Sequence, residues 1–94
     1  MLKHIVTWKM KEENKAENMA DIKSRLEALV GVIDEIKSLE VGINENGGEY
    51  DIILITEFED KKALETYDQH PSHQEVRKFV RSVVETRIAV DFNF

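Results

Sequence analysis

Tyr50-Asp51-Ile52-Ile53-Leu54-Ile55-Thr56-Glu57-Phe58 is the stretch on which the fold turns. Side chains alternate across a β-strand, so Tyr50, Ile52, Leu54, Thr56 and Phe58 share one face, while Ile53 and Ile55 lie on the other. A strand that is apolar on both faces has to be covered on both. Immediately upstream, Asn44–Glu49 holds the Gly47-Gly48 pair and reads as a turn that joins this strand to one over Ile36–Ile43. A phosphate-binding loop would need a helix behind it to face the anion. Here a strand follows.

Further upstream, Leu2, His4, Val6, Trp8 and Met10 alternate with Lys3, Ile5, Thr7 and Lys9, which gives a first strand. Asn14 with Glu17 fits a capping box. Met19, Ile22, Leu26, Leu29 and Val30 recur at helical spacing, and Gly31 is a natural stop. Downstream, Asp60 is a good N-cap for a helix carrying Ala63, Leu64 and Tyr67 on one face. His70-Pro71 ends that helix, because the residue before proline is pushed out of helical geometry, and the His70 ring is expected to cap its end. Ser72 with Glu75 fits a second capping box, opening a helix with Val76, Phe79 and Val80 inward. The last strand spans Val84–Phe92, with Val84, Ile88, Val90 and Phe92 on one face and Glu85, Arg87 and Asp91 on the other.

The order β-α-β-β-α-β, with its second helix split in two, predicts an α+β ferredoxin-like fold: a four-stranded antiparallel sheet with helices on one face. One sheet face then stays bare, and it includes Ile53 and Ile55. A patch of that kind is normally hidden, and a twofold partner hides it with one self-complementary surface. The expected assembly is a homodimer through the sheet face, a dimeric α/β barrel.

The 94 residues make one small domain, 1–94, with a modest core. There is no cysteine, which excludes disulfides and thiolate chemistry, and no Cys/His cluster that would hold structural zinc. The formal charge of −6, from 13 basic and 19 acidic side chains, opposes binding to a nucleic-acid backbone. No apolar stretch approaches the roughly 20 residues needed to span a bilayer. No secretory apolar core precedes Lys9 and Lys11. A cytoplasmic protein without nucleic-acid or membrane partners is expected.

Three side chains converge as a candidate site. Tyr67 lies on the inward face of its helix, His73 sits in the first turn of the next, and His4 shares a strand face with Val6 and Trp8. Meeting between sheet and helices, they make a candidate catalytic group of His73 and Tyr67, with His4, Trp8 and Phe79 as substrate-binding residues. The positive helix N-terminus disfavours imidazolium at His73, leaving a neutral ring that can accept a proton. Such a base beside a phenol suits enolisation of a carbonyl compound. Each of the three also has a plain structural reading: a core tyrosine with a satisfied hydroxyl, a histidine at a helix start, a buried histidine bonded within the core. Trp8 and Phe79 equally fit the core. Arg87 and Asp91 read as an interface ion pair, and Glu57, Glu59 and Asp60 as a solvated turn; no metal site is expected. No Gly-x-Ser-x-Gly elbow, nucleotide fingerprint or His-Glu-x-x-His pair occurs, and no cofactor is called for.

The opening Lys3-His4-Ile5-Val6, the run Tyr67-Asp68-Gln69-His70-Pro71-Ser72-His73 after Phe58-Glu59-Asp60 and Ala63-Leu64, and the ending Arg87-Ile88-Ala89-Val90-Asp91-Phe92 together resemble the stress-responsive dimeric α/β barrel family, Dabb. The resemblance covers nearly the whole chain. It implies a dimer whose two sheets close into a barrel with the helices outside. Many members have no assigned reaction, and some plant relatives look like stress-induced structural proteins. One branch includes a cofactor-independent plant polyketide cyclase whose tyrosine and histidine match Tyr67 and His73, with His4 lining the same pocket. Where that cyclase has a further histidine at the start of the third strand, this chain has Ile52. The expected function is therefore that of a stress-responsive barrel protein of unassigned reaction that binds a small organic molecule. The alternatives are a cofactor-independent lyase, cyclase or isomerase and a non-catalytic structural protein. A cofactorless oxygenase on a similar fold has no feature selecting it.

Overall fold

The computed structural model describes residues 1–94 as β1 (Leu2–Met10), α1 (Lys15–Glu27), β2 (Ser38–Ile43), β3 (Ile52–Phe58), α2 (Lys61–Gln69), α3 (Pro71–Val83) and β4 (Val84–Asn93). The strands form one antiparallel sheet in the order β2-β3-β1-β4. All three helices lie on one of its faces. This is the ferredoxin-like β-α-β-β-α-β fold, with the second helix divided at His70-Pro71 as the sequence predicts. No helix is long and apolar enough to cross a membrane.

Alternation decides what each strand buries. Leu2, Val6, Trp8 and Met10 of β1 and Ile52, Leu54, Thr56 and Phe58 of β3 are buried under the helices. Val6, Trp8, Met10, Ile52, Leu54 and Phe58 form one core cluster with Ile22 and Leu26 of α1, Tyr67 of α2, and Val76 and Val80 of α3. Thr56 is the one buried polar residue of this layer, and its hydroxyl donates to the His4 carbonyl at 3.1 Å. The register also sets the opposite face row by row: Glu40, Ile55, Ile5 and Val90 lie side by side across the sheet, followed by Gly42, Ile53, Thr7 and Ile88. On this uncovered face Val90 is 55 % exposed, Ile88 46 % and Phe92 43 %, against the few per cent typical of the core.

Several local expectations give way to other chemistry. Asn14 takes a left-handed backbone (φ 53°) and its side chain caps nothing, so the Asn14–Glu17 box does not form; an N-cap side chain needs extended backbone to reach the first turn. Pro71 occupies the first turn of α3, which moves the N-cap from Ser72 back to His70. The His70 ring accepts the Ser72 N–H at 3.1 Å and so caps the helix it precedes, not the one it ends. After Glu27 the chain tightens into turns, with Leu29 N–H on the Leu26 carbonyl and Val30 N–H on that of Glu27. The change of pitch swings Val30 out to 53 % exposure and brings Ile33 into the core, with Gly31 at φ 88° between them. Strand β2 starts at Ser38, two residues later than the hydrophobicity of Ile36 indicates. Asp60 caps α2 as expected, accepting the Ala63 N–H at 2.9 Å. The Asn44–Glu49 turn is built from Asn44 accepting Asn46 N–H and Asn46 accepting Gly48 N–H.

Asp51 ties the far end of β1 to β3. Its N–H donates to the Trp8 carbonyl at 2.9 Å, and its carboxylate accepts the Met10 N–H at 2.7 Å and the Lys15 ammonium at 2.9 Å. Burial alone would raise its pKa, but the Met10 amide and the Lys15 and Lys9 charges hold it below the ordinary aspartate value. A depressed carboxyl contributes stability that is present above its unfolded pKa and disappears as pH falls through the folded one. Wild-type chain is therefore expected to exceed Asp51→Asn in urea-unfolding stability at neutral pH, the gap closing as pH drops below the ordinary aspartate value. A gap independent of pH would show that the carboxylate charge contributes nothing.

Candidate functional site

Between the sheet and α3 lies a cavity of about 360 Å³ whose walls include His4, Trp8, Tyr67 and His73. The helix-side alternation of β1 brings His4 and Trp8 to its floor. Tyr67 comes from the last turns of α2, and His73 from the first turn of α3, one short corner later. The expected site residues thus meet, with one exception. Phe79 does not line the cavity; it is half-buried between α1 and α3, and the Arg25 guanidinium stacks on its ring at 4.1 Å. The helical step of three residues from Val76 turns it to the α1 side.

The aromatic rings form a chain. Tyr67 lies 4.3 Å from His73 and 4.9 Å from Phe58 between ring centroids, and His4 stands edge-on to Tyr67 at 6.5 Å. Tyr67 is 1 % exposed, and its hydroxyl is buried without any hydrogen-bond partner. An orphan buried hydroxyl costs roughly 1–3 kcal/mol. Burial, and next the charge of Asp68, push the phenol well above its ordinary pKa, with Arg87 opposing. A phenol so raised keeps its proton at neutral pH, which suits Tyr67 to donate a hydrogen bond and not to act as a base.

His73 Nδ1 donates to the Asp68 carbonyl at 2.9 Å, which leaves Nε2 unprotonated in the neutral ring. Burial pulls its pKa below the ordinary histidine value; the Asp68 carbonyl and carboxylate act against that, while Arg77 and His4 add to the depression. The neutral ring expected from the helix N-terminus is thus chiefly a consequence of burial. A histidine depressed in the native state is disfavoured only when it must be protonated. Its contribution to stability is present above the unfolded pKa near 6.5 and is lost as pH falls below it toward the folded value. On going from pH 7.5 to 5, the wild type is expected to lose more unfolding free energy than His73→Gln, measured by urea titration. Equal losses would contradict a buried neutral ring.

The structure adds a residue that the sequence placed elsewhere. Asp91 accepts a hydrogen bond from His4 Nδ1 on the helix side of the sheet, so it is no part of an interface ion pair. Arg87 likewise faces the cavity. The reason is a register shift where Lys9 pairs with Thr86 but Met10 with Val84. It puts Val84 under the helices, although Val84 shares its parity with Ile88, Val90 and Phe92 of the open face. Counting outward from His4, whose partner across the strands is Asp91, would have found the pair; the alternation of β4 alone gives no sign of which face is which. With Nδ1 held by Asp91, Nε2 is the His4 nitrogen left for a ligand.

The family pattern described as "Stress responsive A/B Barrel Domain" matches residues 2–94, nearly the full length. The chain belongs to the Dabb family. A solved structure from Bacteroides fragilis, described as a dimeric protein of unknown function with a ferredoxin-like fold, is 35 % identical, superposes with a TM-score of 0.93, and is covered over 95 % of its length by 99 % of this chain. A Dabb family protein from Mesorhizobium loti with a ferredoxin-like fold has 23 % identity and a TM-score of 0.77, covering 99 % of this chain and 95 % of its own. A hydroxynitrile lyase from Passiflora edulis shares the fold at a TM-score of 0.85 with 14 % identity, over 97 % of this chain and 90 % of the lyase. No curated protein matches the Dabb chain.

Proposed function

We propose that this Dabb protein is a homodimer that binds a small carbonyl compound in the cavity beside α3, and that it performs cofactor-independent proton transfer there. The observation that carries this reading is the Tyr67 hydroxyl: a donor 1 % exposed, without a partner, beside the neutral ring of His73. Core tyrosines ordinarily find an acceptor. The Tyr67 ring lines the cavity, and a ligand that displaces the side chains packed over its hydroxyl would supply the missing acceptor.

The chemistry follows from which groups can hold a proton. His73 Nε2 takes the proton from the carbon next to the carbonyl; the C–H bond breaks and its electron pair moves onto the carbonyl oxygen. Tyr67 O–H donates to that oxygen as charge develops. Returned to another carbon of the ligand, the His73 proton completes an isomerisation. Where the enolate carbon instead bonds a second carbonyl carbon of the ligand, that carbonyl's oxygen takes the proton and a ring closes. The reverse breaks the same bond as a lyase does, and none of these steps calls for a cofactor. Asp91 keeps His4 Nδ1 engaged and fixes the orientation of that ring toward the same ligand. Trp8, 5 % exposed, supplies the apolar floor. Hosting a lyase on this fold is an analogy of fold and not of site.

The homodimer is supported by the open face, where Ile5, Ile53, Ile55, Ile88, Val90 and Phe92 lie together, and by the dimeric description of the Bacteroides fragilis neighbour. A thermal-shift screen of small ketones and aldehydes, repeated on His73→Ala and Tyr67→Phe, tests the site. Ligands that raise the melting temperature of the wild type are expected to lose that effect in both variants. Undiminished shifts would remove the site from the account.

A further inference from the structure

We infer that the ligand of this cavity is a small oxo acid, its carboxylate held between Arg81 and Arg87 and its carbonyl reaching Tyr67. This rests on the reading of the cavity as a ligand site and adds the chemical class of what enters it.

The chain carries a formal charge of −6, yet the cavity walls hold Arg77, Arg81 and Arg87 against two acids, Asp68 and Glu85. His73, Arg77 and Arg81 follow one another at four-residue steps and so form a single stripe along α3. At about 1.5 Å of rise per residue, Arg81 stands roughly 12 Å along the helix from His73. Arg87 comes from the opposite wall: it pairs with Trp8 across β1 and β4 and shares the face of Trp8. The cavity therefore runs from a proton-handling end at His4, Tyr67 and His73 to a cationic end at Arg81 and Arg87.

The three guanidiniums are not alike. Arg77 lies 3.7 Å from the Asp68 carboxylate. Neither Arg81 nor Arg87 forms an ion pair with any carboxylate of the chain, and Glu85 pairs with neither. Between the two ends the wall is apolar, with Trp8, Val80 and Val84. Guanidinium presents a planar fork of donors that matches a carboxylate, and two of them facing one space repel each other until an anion arrives. The Tyr67 hydroxyl supplies the second, independent requirement, since it needs an acceptor on the same ligand. Arg87 also opposes the upward push on the Tyr67 phenol, so its charge is felt at the reactive end. A carboxylate and a carbonyl joined by several methylenes meet both requirements, and a cavity of about 360 Å³ is at the small end of ligand pockets, as such an acid demands.

Trp8 is the single tryptophan and lies on the cavity wall, so its emission reports on occupancy. Fluorescence titration with 7-oxooctanoate, 7-oxooctanamide and octanoate separates the two ends. The oxo acid is expected to bind at least tenfold more tightly than its amide, and raised salt is expected to narrow the difference. Arg81→Met and Arg87→Met, both at exposed positions, are each expected to weaken the oxo acid about tenfold and leave the amide unchanged. Tyr67→Phe is expected to erase the advantage of oxo acid over octanoate. Equal binding of acid and amide, with Tyr67 still discriminating the carbonyl, would overturn the anion assignment while the site reading stands. No saturable change at Trp8 with any of the three would overturn both.

Discussion

Val90→Glu is expected to convert a dimer into a monomer at micromolar concentration, with little change in the fold of the separate subunit. Val90 is already 55 % exposed on the lone chain, beside Ile5 in the row that continues to Ile55. A carboxylate there costs the subunit almost nothing. In a sheet-to-sheet interface it would be buried against isoleucines with no cation opposite. The only basic side chains on this face are Lys3 and Lys9, near its ends, and Lys3 is already engaged with the Phe94 ring, 4.7 Å from its centroid, and with Glu57 at 3.9 Å. Burying an unpaired charge costs several kcal/mol. At about 1.4 kcal/mol per tenfold, a weakening of dimer affinity by a hundredfold or more follows. Sedimentation velocity is the direct check. A wild-type monomer, or a Val90→Glu dimer as tight as the wild type, would contradict the use of this face.

Tyr67→Phe is expected to move stability and ligand binding in opposite directions. Removing a buried hydroxyl that has no partner relieves its desolvation cost, so the unliganded variant should gain on the order of 1 kcal/mol in urea unfolding. Ring packing against Phe58 and His73 stays in place. The same variant should lose at least tenfold in affinity for any carbonyl ligand of the cavity. A tyrosine whose hydroxyl serves the core gives the opposite pattern: stability falls and ligand affinity does not change. A loss of stability in the unliganded protein would therefore count against Tyr67 as the donor.

Much of this was legible in the sequence because the strands obey alternation and the helices obey their period. Ile53 and Ile55 announced a second apolar face, and His70-Pro71 announced the split that delivers Tyr67 and His73 to one corner. The illegible parts have a common cause. Val84 breaks the parity of β4 through a register shift, so the face of Arg87, Asp91 and the open-face residues could be assigned only from strand pairing. Ion pairing at Arg87–Asp91 was read from proximity along one strand, whereas the partner of Asp91 is His4, on the neighbouring strand. Caps failed where a competing residue held the position: the left-handed turn at Asn14, and Pro71 displacing Ser72. Phe79 looked like a cavity residue because the amphipathic stripe of α3 is wide, serving α1 on one edge and the cavity on the other.

The architecture also explains why the cationic end is not legible in the sequence. Arginines on an amphipathic helix are ordinarily solvated surface charges, and a net acidic composition gives no sign of an anion site. Composition describes the whole surface; a ligand meets only the wall it touches. The four-residue steps from His73 to Arg81 were present in the sequence, but their meaning depends on Arg87 facing them across the cavity.

The most direct measurement is an ¹H–¹⁵N correlation spectrum of the protein titrated with small carbonyl compounds. The expected result is saturable shifts confined to the groups that line this cavity, among them the amides of His4, Tyr67 and His73 and the Trp8 indole, lost in Tyr67→Phe. Shifts that fall outside this cavity, or that persist unchanged in Tyr67→Phe, would contradict it.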